Sequence, residues 1–301
     1  MLKKVVVAMS GGVDSSVSAA LLKRAGFNVE GVFLKLCRSP KFAEAAKKAK
    51  KVVQTLKIPF RVLDLQKQFK KKIIDYFSKE YQAGKTPNPC VVCNKEIKFG
   101  FLLRLGADFV ATGHYARLRE GKLLMAKDKN KDQSYFLWKL SQKQLKHILF
   151  PVGNYTKPEV RKLAKKFKLP VFDSPESQDI CFNLPSRMKF YTVGQRKGIG
   201  LSGGPFWVLG RDSKKNLILT KNEKDLYKKE LFFKNANWLS GKSPKFPLKV
   251  KAKIRYRSKL ALATVYQNHK VIFGQPQRAI TSGQSVVFYQ GEALLGGGII
   301  D

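Results

Sequence analysis

A glycine- and serine-rich string, Ser10-Gly-Gly-Val-Asp-Ser-Ser16, lies between a predicted strand and a predicted helix. At such a junction, unpaired amide N–H groups and the positive end of the helix dipole favour an anion. Gly11 and Gly12 would let the backbone approach phosphate oxygens, and the two final serine hydroxyls would add donors. Asp14 would repel phosphate, so we interpret it as a helix N-cap or a magnesium ligand. The lysine of the Walker pattern is absent, which argues against an ordinary P-loop phosphohydrolase.

Three of the four cysteines could do sulfur or metal chemistry. Cys90 and Cys93 form a Cys-x-x-Cys pair after the turn-forming segment 86–89, and Cys181 lies far along the chain. If the three meet, two thiols could carry sulfur as a persulfide, or three thiolates could hold an iron–sulfur cluster with one iron left free. The alternative for any single cysteine is a small buried hydrophobic residue. We assign no role to Cys37.

Two polar segments could contact a ligand. In Ala111-Thr-Gly-His-Tyr115, Gly113 and His114 would follow a strand, at the edge where an open parallel sheet binds ligands. Lys131-Asp-Gln-Ser-Tyr-Phe136 combines charge and aromatic rings in a loop setting that suits a base or a phosphate. The alternatives are a structural histidine and an ordinary turn into a helix.

The elements that must position these residues begin with an alternation of apolar runs and helical patterns. Such β-α-β-α-β alternation predicts an α/β fold with a doubly wound parallel sheet. The predicted elements are a strand over 4–9, a helix over 14–25, a strand over 29–36, a helix over 41–57 and a strand over 60–65.

Farther along the chain the pattern changes. A short strand over 107–112 leads into the histidine segment, and Thr156 with Pro158 marks the start of a helix over 157–167. Beyond about residue 186, short alternating apolar runs with regular turn signals predict a small antiparallel barrel or sandwich.

Composition excludes several protein classes. The 301 residues contain 59 lysines and arginines against 21 aspartates and glutamates, a formal net charge of +38. With 44% hydrophobic residues, the chain can bury a core and is not a disordered basic tail. No apolar run approaches the ~18–20 residues that cross a bilayer, so we expect a cytoplasmic protein. The charge predicts a polyanionic partner such as nucleic acid, and the alternative is a lysine-rich proteome.

Ten ordered strings resemble those of the tRNA-specific 2-thiouridylase family, MnmA, nearly end to end. The phosphate-loop string also resembles the loop of PP-loop enzymes, which adenylate an oxygen with ATP and then displace AMP. The ten strings are Ser10–Ser16, Thr86–Pro89, Cys93–Phe99, Ala111–Tyr115, Lys131–Leu137, Ser177–Phe182, Thr192–Gly198, Lys253–Tyr256, Pro276–Ile280 and Leu295–Ile299.

The resemblance implies that the chain replaces the C2 oxygen of the wobble uridine (U34) of tRNA with sulfur, giving 2-thiouridine. It implies ATP binding by Ala8, Met9, Ser10, Gly11, Gly12, Val13, Asp14, Ser15, Leu34 and Gly113. It implies that Cys93 is the nucleophile, that Cys181 carries the persulfide, and that Asn88, Pro89 and Cys90 meet the target base. The implied tRNA contacts are His114, Lys131, Asp132, Gln133, Arg255, Tyr256 and Gln284.

The resemblance also implies cofactors, partners and domains. ATP and Mg²⁺ would be required. The partners would be tRNAs of the lysine, glutamate and glutamine type and a sulfur-donor protein or cysteine desulfurase, with neither a membrane nor a second copy of the chain. We predict a PP-loop domain over 1–185, a reduced linker domain over 186–228 and a tRNA-contacting barrel over 229–301.

Two departures from the family pattern bear on mechanism. Many members carry aspartate where this chain has Cys90, and that carboxylate is the proposed acid/base group. The set Cys90, Cys93 and Cys181 instead resembles members proposed to use an iron–sulfur cluster. Between Phe182 and Phe190 the family usually has several tens of residues more, which shortens the central domain of this chain.

Two rival functions remain open on the sequence. One is another PP-loop adenylating enzyme, such as an amidotransferase or a ligase, which would need neither the paired cysteine loop nor the high positive charge. The other is a non-catalytic RNA-binding relative, although the phosphate loop and both sulfur-position cysteines are present.

Overall fold

The computed structural model of the chain describes residues 2–175, 181–182, 191–212 and 216–301. These residues form a parallel sheet with helices, a two-stranded hairpin and a closed antiparallel barrel. This architecture confirms the predicted combination of a doubly wound sheet and a C-terminal barrel.

The strands of the described residues fall into two large sheets and one hairpin. In chain order they are β1 (Lys4–Ala8), β2 (Asn28–Lys35), β3 (Phe60–Asp64), β4 (Phe109–Ala111), β5 (Ala116–Arg119), β6 (Lys122–Met125), β7 (Ile148–Leu149), β8 (Trp207–Arg211), β9 (Leu217–Thr220), β10 (Tyr227–Trp238), β11 (Leu248–Lys253), β12 (Ala261–Val265), β13 (Lys270–Arg278), β14 (Ser285–Gln290) and β15 (Ala293–Ile300).

The α-helices accompany the parallel sheet. They are α1 (Val13–Arg24), α2 (Pro40–Thr55), α3 (Gln66–Phe69), α4 (Asp75–Gln82), α5 (Pro89–Val92), α6 (Gly100–Leu102), α7 (Gln142–Leu145) and α8 (Lys157–Lys166). Thr156 caps α8 in a capping box with Glu159, and Pro158 occupies its first turn, as predicted.

Two π-helical turns interrupt the helices between β3 and β4. One, Lys70–Ile74, joins α3 to α4, and the other, Cys93–Phe99, joins α5 to α6. The hydrogen bonds of a π turn run from residue i to i+5, and such turns occur frequently at functional sites. The sequence patterns did not predict either turn.

The parallel sheet has the order β3-β2-β1-β4-β7. The chain first adds β2 and β3 on one side of β1 and later returns to add β4 on the other side. Val5, Val6 and Val7 are fully buried because helices or other strands cover both faces of β1. The strand order therefore reverses between β1 and β4.

Six antiparallel strands close the barrel. Their order is β10-β13-β12-β11-β14-β15, and β15 pairs again with β10. The hairpin β5–β6 then extends this sheet from β15, with Leu124 opposite Ala293. The N-terminal half thus contributes two strands to the barrel sheet, a connection that the sequence did not predict.

The two halves also share a hydrophobic core. One apolar cluster contains Val6 from the parallel sheet, Trp138 from the segment between β6 and β7, and Val287 from the barrel. The buried indole N–H of Trp138 donates to Ser285 Oγ at 3.0 Å. No helix in the described ranges is long and apolar enough to cross a membrane.

Candidate active site

The phosphate loop lies at the carboxyl end of β1. It leads directly into α1, so the first-turn N–H groups of this helix point toward the loop without intrahelical acceptors. The strand order reverses at this place, between β1 and β4, and open α/β sheets bind ligands at such reversals. Leu34, near the end of neighbouring β2, is partly buried beside the same edge.

The serine hydroxyls of the loop are used inside it. Ser15 Oγ donates to the carbonyl of Gly12 at 3.1 Å and lies 3.1 Å from Ser10 Oγ, and Ser16 Oγ donates to the same carbonyl at 2.8 Å. Both Ser15 and Ser16 are buried. The two hydroxyls therefore fold the loop, and their predicted contact with phosphate stays a prediction.

The two glycines of the loop have different roles. Gly11 has φ +76°, and a Cβ there would lie 2.3 Å from the carbonyl oxygen of Ala45 in α2. A Cβ on Gly12 would meet no atom closer than 3.5 Å. Gly11 is thus required by the packing of the loop on α2, whereas Gly12 leaves space on the side where a ligand can approach.

Asp14 does not cap α1. The N-cap position is Gly12, which has no side-chain capping bond, so the N-cap interpretation of Asp14 is wrong. Its carboxylate instead accepts from the hydroxyl of Tyr115 at 2.8 Å and from the ammonium of Lys157 at 2.6 Å, both at Oδ1. The loop therefore carries a neutralised carboxylate whose partners come from two distant parts of the chain.

Gly113 brings the end of β4 against the phosphate loop. A Cβ at this position would lie 2.6 Å from the Ser15 nitrogen and 2.8 Å from the Asp14 carbonyl carbon. Only glycine permits this approach of two backbones. Gly113 is therefore in direct contact with the loop, in agreement with its predicted place in the nucleotide site.

His114 is buried, with 8% of its surface exposed. Its Nδ1 lies 2.7 Å from Thr112 Oγ1, and its ring packs between Phe99 and Phe150. Burial, aided by the positive charge of Lys98, lowers the pKa of His114 well below its usual value, so the imidazole is neutral. Its predicted contact with tRNA stays a prediction.

The Cys-x-x-Cys pair spans the junction of α5 and the second π turn. Pro89 begins α5, Cys90 follows it at the surface, and Cys93 is buried at the first position of the π turn. Residues three apart on a helix share a face. Cys90 and Cys93 therefore point to the same side.

Cys181 lies at the carboxyl end of β2. The thiol of Cys37, two residues beyond β2, donates to the Cys181 carbonyl at 3.1 Å. The neighbouring Phe182 packs edge-on against Phe69 and Phe77 in an apolar cluster that also contains Cys93. The rest of the predicted string, residues 177–180, lies outside the described residues.

Partial removal from water keeps these thiols protonated, although only Cys93 is buried and both Cys90 and Cys181 are exposed at the surface. It raises the pKa of Cys93 to about 12 and that of Cys181 to about 11, and it also raises the pKa of Cys90. The mutual repulsion of the thiolates further raises the pKa of Cys93 and of Cys181. The ammonium of Lys98 lowers the pKa of all three thiols.

The cysteines do not form a ligand set for a metal. Within the described ranges, which include all four cysteines, no three Cys, His, Asp or Glu side chains lie where they could hold a metal ion. The thiols therefore offer no site for a single metal ion, and the iron–sulfur cluster that the sequence predicts stays a prediction.

The segment 86–89, which leads into Cys90, is held by the barrel. The Thr86 N–H donates to the Ser282 carbonyl at 2.9 Å, and Gln284 Nε2 donates to the Thr86 carbonyl at 2.8 Å. The barrel thus fixes the position of the strip that was predicted to meet the target base.

The other predicted tRNA contacts are mostly engaged within the protein. Asp132 is buried and accepts from the Ala126 N–H and the Ser134 hydroxyl, both at 2.9 Å. Gln133 Oε1 accepts from the Tyr115 N–H at 3.0 Å, whereas Lys131 is partly exposed. The buried side chain of Asp132 therefore stabilises its loop and is not part of the surface.

Arg255 and Tyr256 lie at the junction of the barrel with the N-terminal half. Arg255 donates to the Val193 carbonyl at 2.7 Å and to the Thr281 hydroxyl, and burial lowers its pKa. The Tyr256 ring lies 4.5 Å from that of Phe136. Both residues are close to the strip 86–89 through Thr281 and Phe136, and their predicted contact with tRNA stays a prediction.

Comparison with known proteins decides the family. The model of a tRNA methyl transferase HUP domain matches residues 3–184, and that of an aminomethyltransferase β-barrel domain matches residues 228–300. The tRNA-specific 2-thiouridylases MnmA of Clostridioides difficile and Clostridium acetobutylicum are 41% and 42% identical to the chain. The alignments cover 100% of the chain and 99% and 100% of those proteins. The chain belongs to the MnmA family.

One solved structure aligns with part of the chain. The U34-tRNA thiolase NcsA of Methanococcus maripaludis with its [4Fe-4S] cluster aligns with 59% of this chain and 60% of its own, at 20% identity and a TM-score of 0.41. The alignment with the Clostridioides difficile MnmA spans 356 positions, more than the 301 residues of this chain. This chain is therefore a short member of the MnmA family, and the location of the shortening between 182 and 190 stays a prediction.

Sequence reasoning missed three polar residues of this MnmA site. Lys98 lay inside a matching string without a role, Tyr115 was read only as part of the histidine segment, and Lys157 was read only as the first residue of a helix. The absent Walker lysine was the signal that could have prompted a search for a cation elsewhere in the chain.

Proposed function

We propose that this chain is an ATP-dependent tRNA-uridine 2-sulfurtransferase that converts the wobble uridine of tRNA to 2-thiouridine. The observation that carries the proposal is the full-length match to relatives named tRNA-specific 2-thiouridylases. The methyl transferase wording of the matched domain does not suit this chain, because a phosphate loop and paired cysteines serve ATP and sulfur chemistry. The net charge of +38 supports a polyanionic substrate.

The first step activates an oxygen. The C2 oxygen of the target uridine attacks the α-phosphorus of ATP, forming a C2–O–AMP linkage and releasing pyrophosphate. The N-terminus of α1 and the open side of Gly12 would hold the phosphates. Mg²⁺ takes phosphate oxygens and one or two carboxylates, so Asp14 could hold it, and it would neutralise phosphate charge.

The second step replaces that oxygen. The terminal sulfur of a Cys181 persulfide attacks C2, and the C2–O bond breaks with AMP as the leaving group. The Cys93 thiolate then attacks Sγ of Cys181, which breaks the S–S bond and leaves sulfur on C2. A Cys93–Cys181 disulfide results, and a thiol reductant must supply two electrons to reopen it.

The finer parts of the proposal concern sulfur delivery and the tRNA substrates. An iron–sulfur cluster on Cys90, Cys93 and Cys181 is the alternative sulfur carrier that the sequence predicts. We derive no step through it. A cysteine desulfurase or sulfur-carrier protein would form the persulfide, and tRNAs of the lysine, glutamate and glutamine type would be the substrates.

Thiolation of a wobble-uridine tRNA transcript tests the proposal. Purified protein, ATP and Mg²⁺ would be incubated anaerobically in two arms. One arm contains cysteine, a cysteine desulfurase and a thiol reductant, and the other contains sulfide after iron–sulfur reconstitution. The RNA would be run on a mercury-containing gel that retards thiolated RNA. We expect retardation that is lost in Cys93→Ser and Cys181→Ser and kept in Cys37→Ser, which retains a donor for the Cys181 carbonyl. Retardation only after reconstitution would favour the cluster, and no retardation in either arm, with folded protein, would contradict the proposal.

A further inference from the structure

Lys157 is a buried lysine that three contacts fix beside the phosphate loop. It is the first residue of α8, whose N-cap Thr156 and Glu159 form a capping box. Its own N–H donates to Asp128 Oδ2 at 2.9 Å. Val160 and Ala164 of α8 are buried in the same apolar cluster as Val17 of α1. The backbone of Lys157 is therefore held rigidly against the helix that begins at the loop.

The ammonium of Lys157 reaches the loop itself. Its Nζ lies 2.6 Å from Asp14 Oδ1, and only 10% of its side-chain surface is exposed. The Tyr115 hydroxyl donates to the same carboxylate oxygen at 2.8 Å, and the ammonium lies 5.9 Å from the centre of the Tyr115 ring. The Lys157–Asp14 contact joins residues separated by 143 positions in the chain, and the Tyr115–Asp14 contact joins residues separated by 101.

The loop has no positive side chain of its own. Residues 8–22 contain no Lys, Arg or His, and their one charged residue is Asp14. The polyphosphate of ATP would meet this carboxylate as a like charge, unless a cation lies between or beside them. P-loop enzymes meet the same need with a lysine inside the loop motif.

A structural role alone explains the position of Lys157 poorly. Burial of an ammonium is costly even when it is paired, and apolar residues can often replace a buried ion pair without loss of stability. The ammonium also lies near the positive ends of α1 and α8, where a cation is disfavoured and an anion is favoured. A polyanionic ligand bound at this place would attract both the ammonium and the two helix N-termini, so the position of the ammonium would become favourable.

We propose that Lys157 binds the polyphosphate of ATP and supplies the cation that the phosphate loop lacks. An ammonium has three donor hydrogens, so the bond to Asp14 and a bond to a phosphate oxygen are compatible. The inference rests on the proposed function, since it requires ATP to be the ligand of the loop. It adds a residue on α8 to a site that the sequence located only in the loop, at Leu34 and at Gly113.

Affinities for ATP and for adenosine, measured by calorimetry with Mg²⁺ present, test the proposal. The variants are Lys157→Met, which keeps the length of the side chain, and Lys157→Arg, which keeps its charge. Lys162→Met removes an exposed charge from the same helix and is the matched control. Thermal unfolding of each variant verifies the fold.

We expect Lys157→Met to bind ATP about 10- to 100-fold more weakly, as for the loss of a hydrogen bond to a charged group. Adenosine, which has no phosphate, should bind within about twofold of wild type, and the arginine variant should recover part of the ATP affinity. Equal losses for ATP and adenosine would show a structural role only and overturn the inference, as would an unchanged ATP affinity. If the wild-type protein binds ATP no better than adenosine, the proposed function itself fails.

Discussion

Replacing Gly113 with alanine should strongly lower the kcat/KM for ATP while leaving the protein folded. The added methyl group would lie 2.6 Å from the Ser15 nitrogen and 2.8 Å from the Asp14 carbonyl carbon. Ordinary contact begins near 3.4 Å, so the end of β4 and the first turn of α1 must separate by about 0.8 Å. Both neighbours are backbone atoms, and no side-chain rotation can relieve the clash.

The size of this effect follows from the displacement. Overpacking of a well-packed site typically costs about 1–3 kcal/mol of stability. A misplacement near 1 Å in a catalytic site can cost about 10²-fold in rate. We therefore expect the kcat/KM for ATP to fall by about 10²-fold, while the free energy of unfolding falls by about 1–3 kcal/mol and the protein stays folded.

Single-turnover thiolation over a range of ATP concentrations, together with urea unfolding, measures both quantities. Gly274→Ala in β13 is the matched control, because a Cβ there would meet no atom closer than 3.7 Å. Gly113→Ala with wild-type kcat/KM for ATP would refute the reasoning that the loop and Gly113 form one phosphate site.

Three further changes have expected outcomes. Burial raises the pKa of Cys93 to about 12, and the ammonium of Lys98 acts in the opposite direction, so Lys98→Met should raise that pKa further. The increase of the thiolation rate with pH should then occur at higher pH in Lys98→Met, whereas Lys98→Arg should not shift it. Ser285→Ala leaves the buried Trp138 indole N–H without its acceptor, which should cost about 1–3 kcal/mol in urea unfolding, whereas Ser285→Thr should keep most of the stability. If a persulfide carries the sulfur, Cys90→Asp should retain thiolation without iron. If a cluster carries it, Cys90→Asp should abolish iron-dependent thiolation. Equal activity of Cys90→Ala in the iron-free assay would mean that position 90 has no role in the persulfide route.

The local parts of the fold could be predicted from sequence. β1 ends at Ala8, one residue before the predicted end, because a continuous apolar run followed by Ser-Gly-Gly is a local signal. The start of α8 agrees for the same reason, since Thr156, Pro158 and Glu159 define its cap within four residues. The phosphate loop and Gly113 meet because the carboxyl ends of adjacent parallel strands share one edge of the sheet.

Features set by contacts between distant segments could not be predicted in this way. The π turn at Cys93–Phe99 depends on packing around it, and no sequence period distinguishes it from an ordinary α-helix. The contact between Lys157 and Asp14 depends on how α8 packs against α1. The same holds for His114, whose burial beside two aromatic rings lowers its pKa and keeps the imidazole neutral.

The fate of the C2 oxygen tests the central claim most directly. An anticodon stem-loop RNA, synthesised with ¹⁸O at C2 of the wobble uridine, would be thiolated with ATP and Mg²⁺, and the released products analysed by mass spectrometry. If the uridine oxygen attacks the α-phosphorus, the label appears in AMP, in an amount equal to the 2-thiouridine formed. Label in inorganic phosphate or in water, with 2-thiouridine still formed, would contradict adenylation of the C2 oxygen.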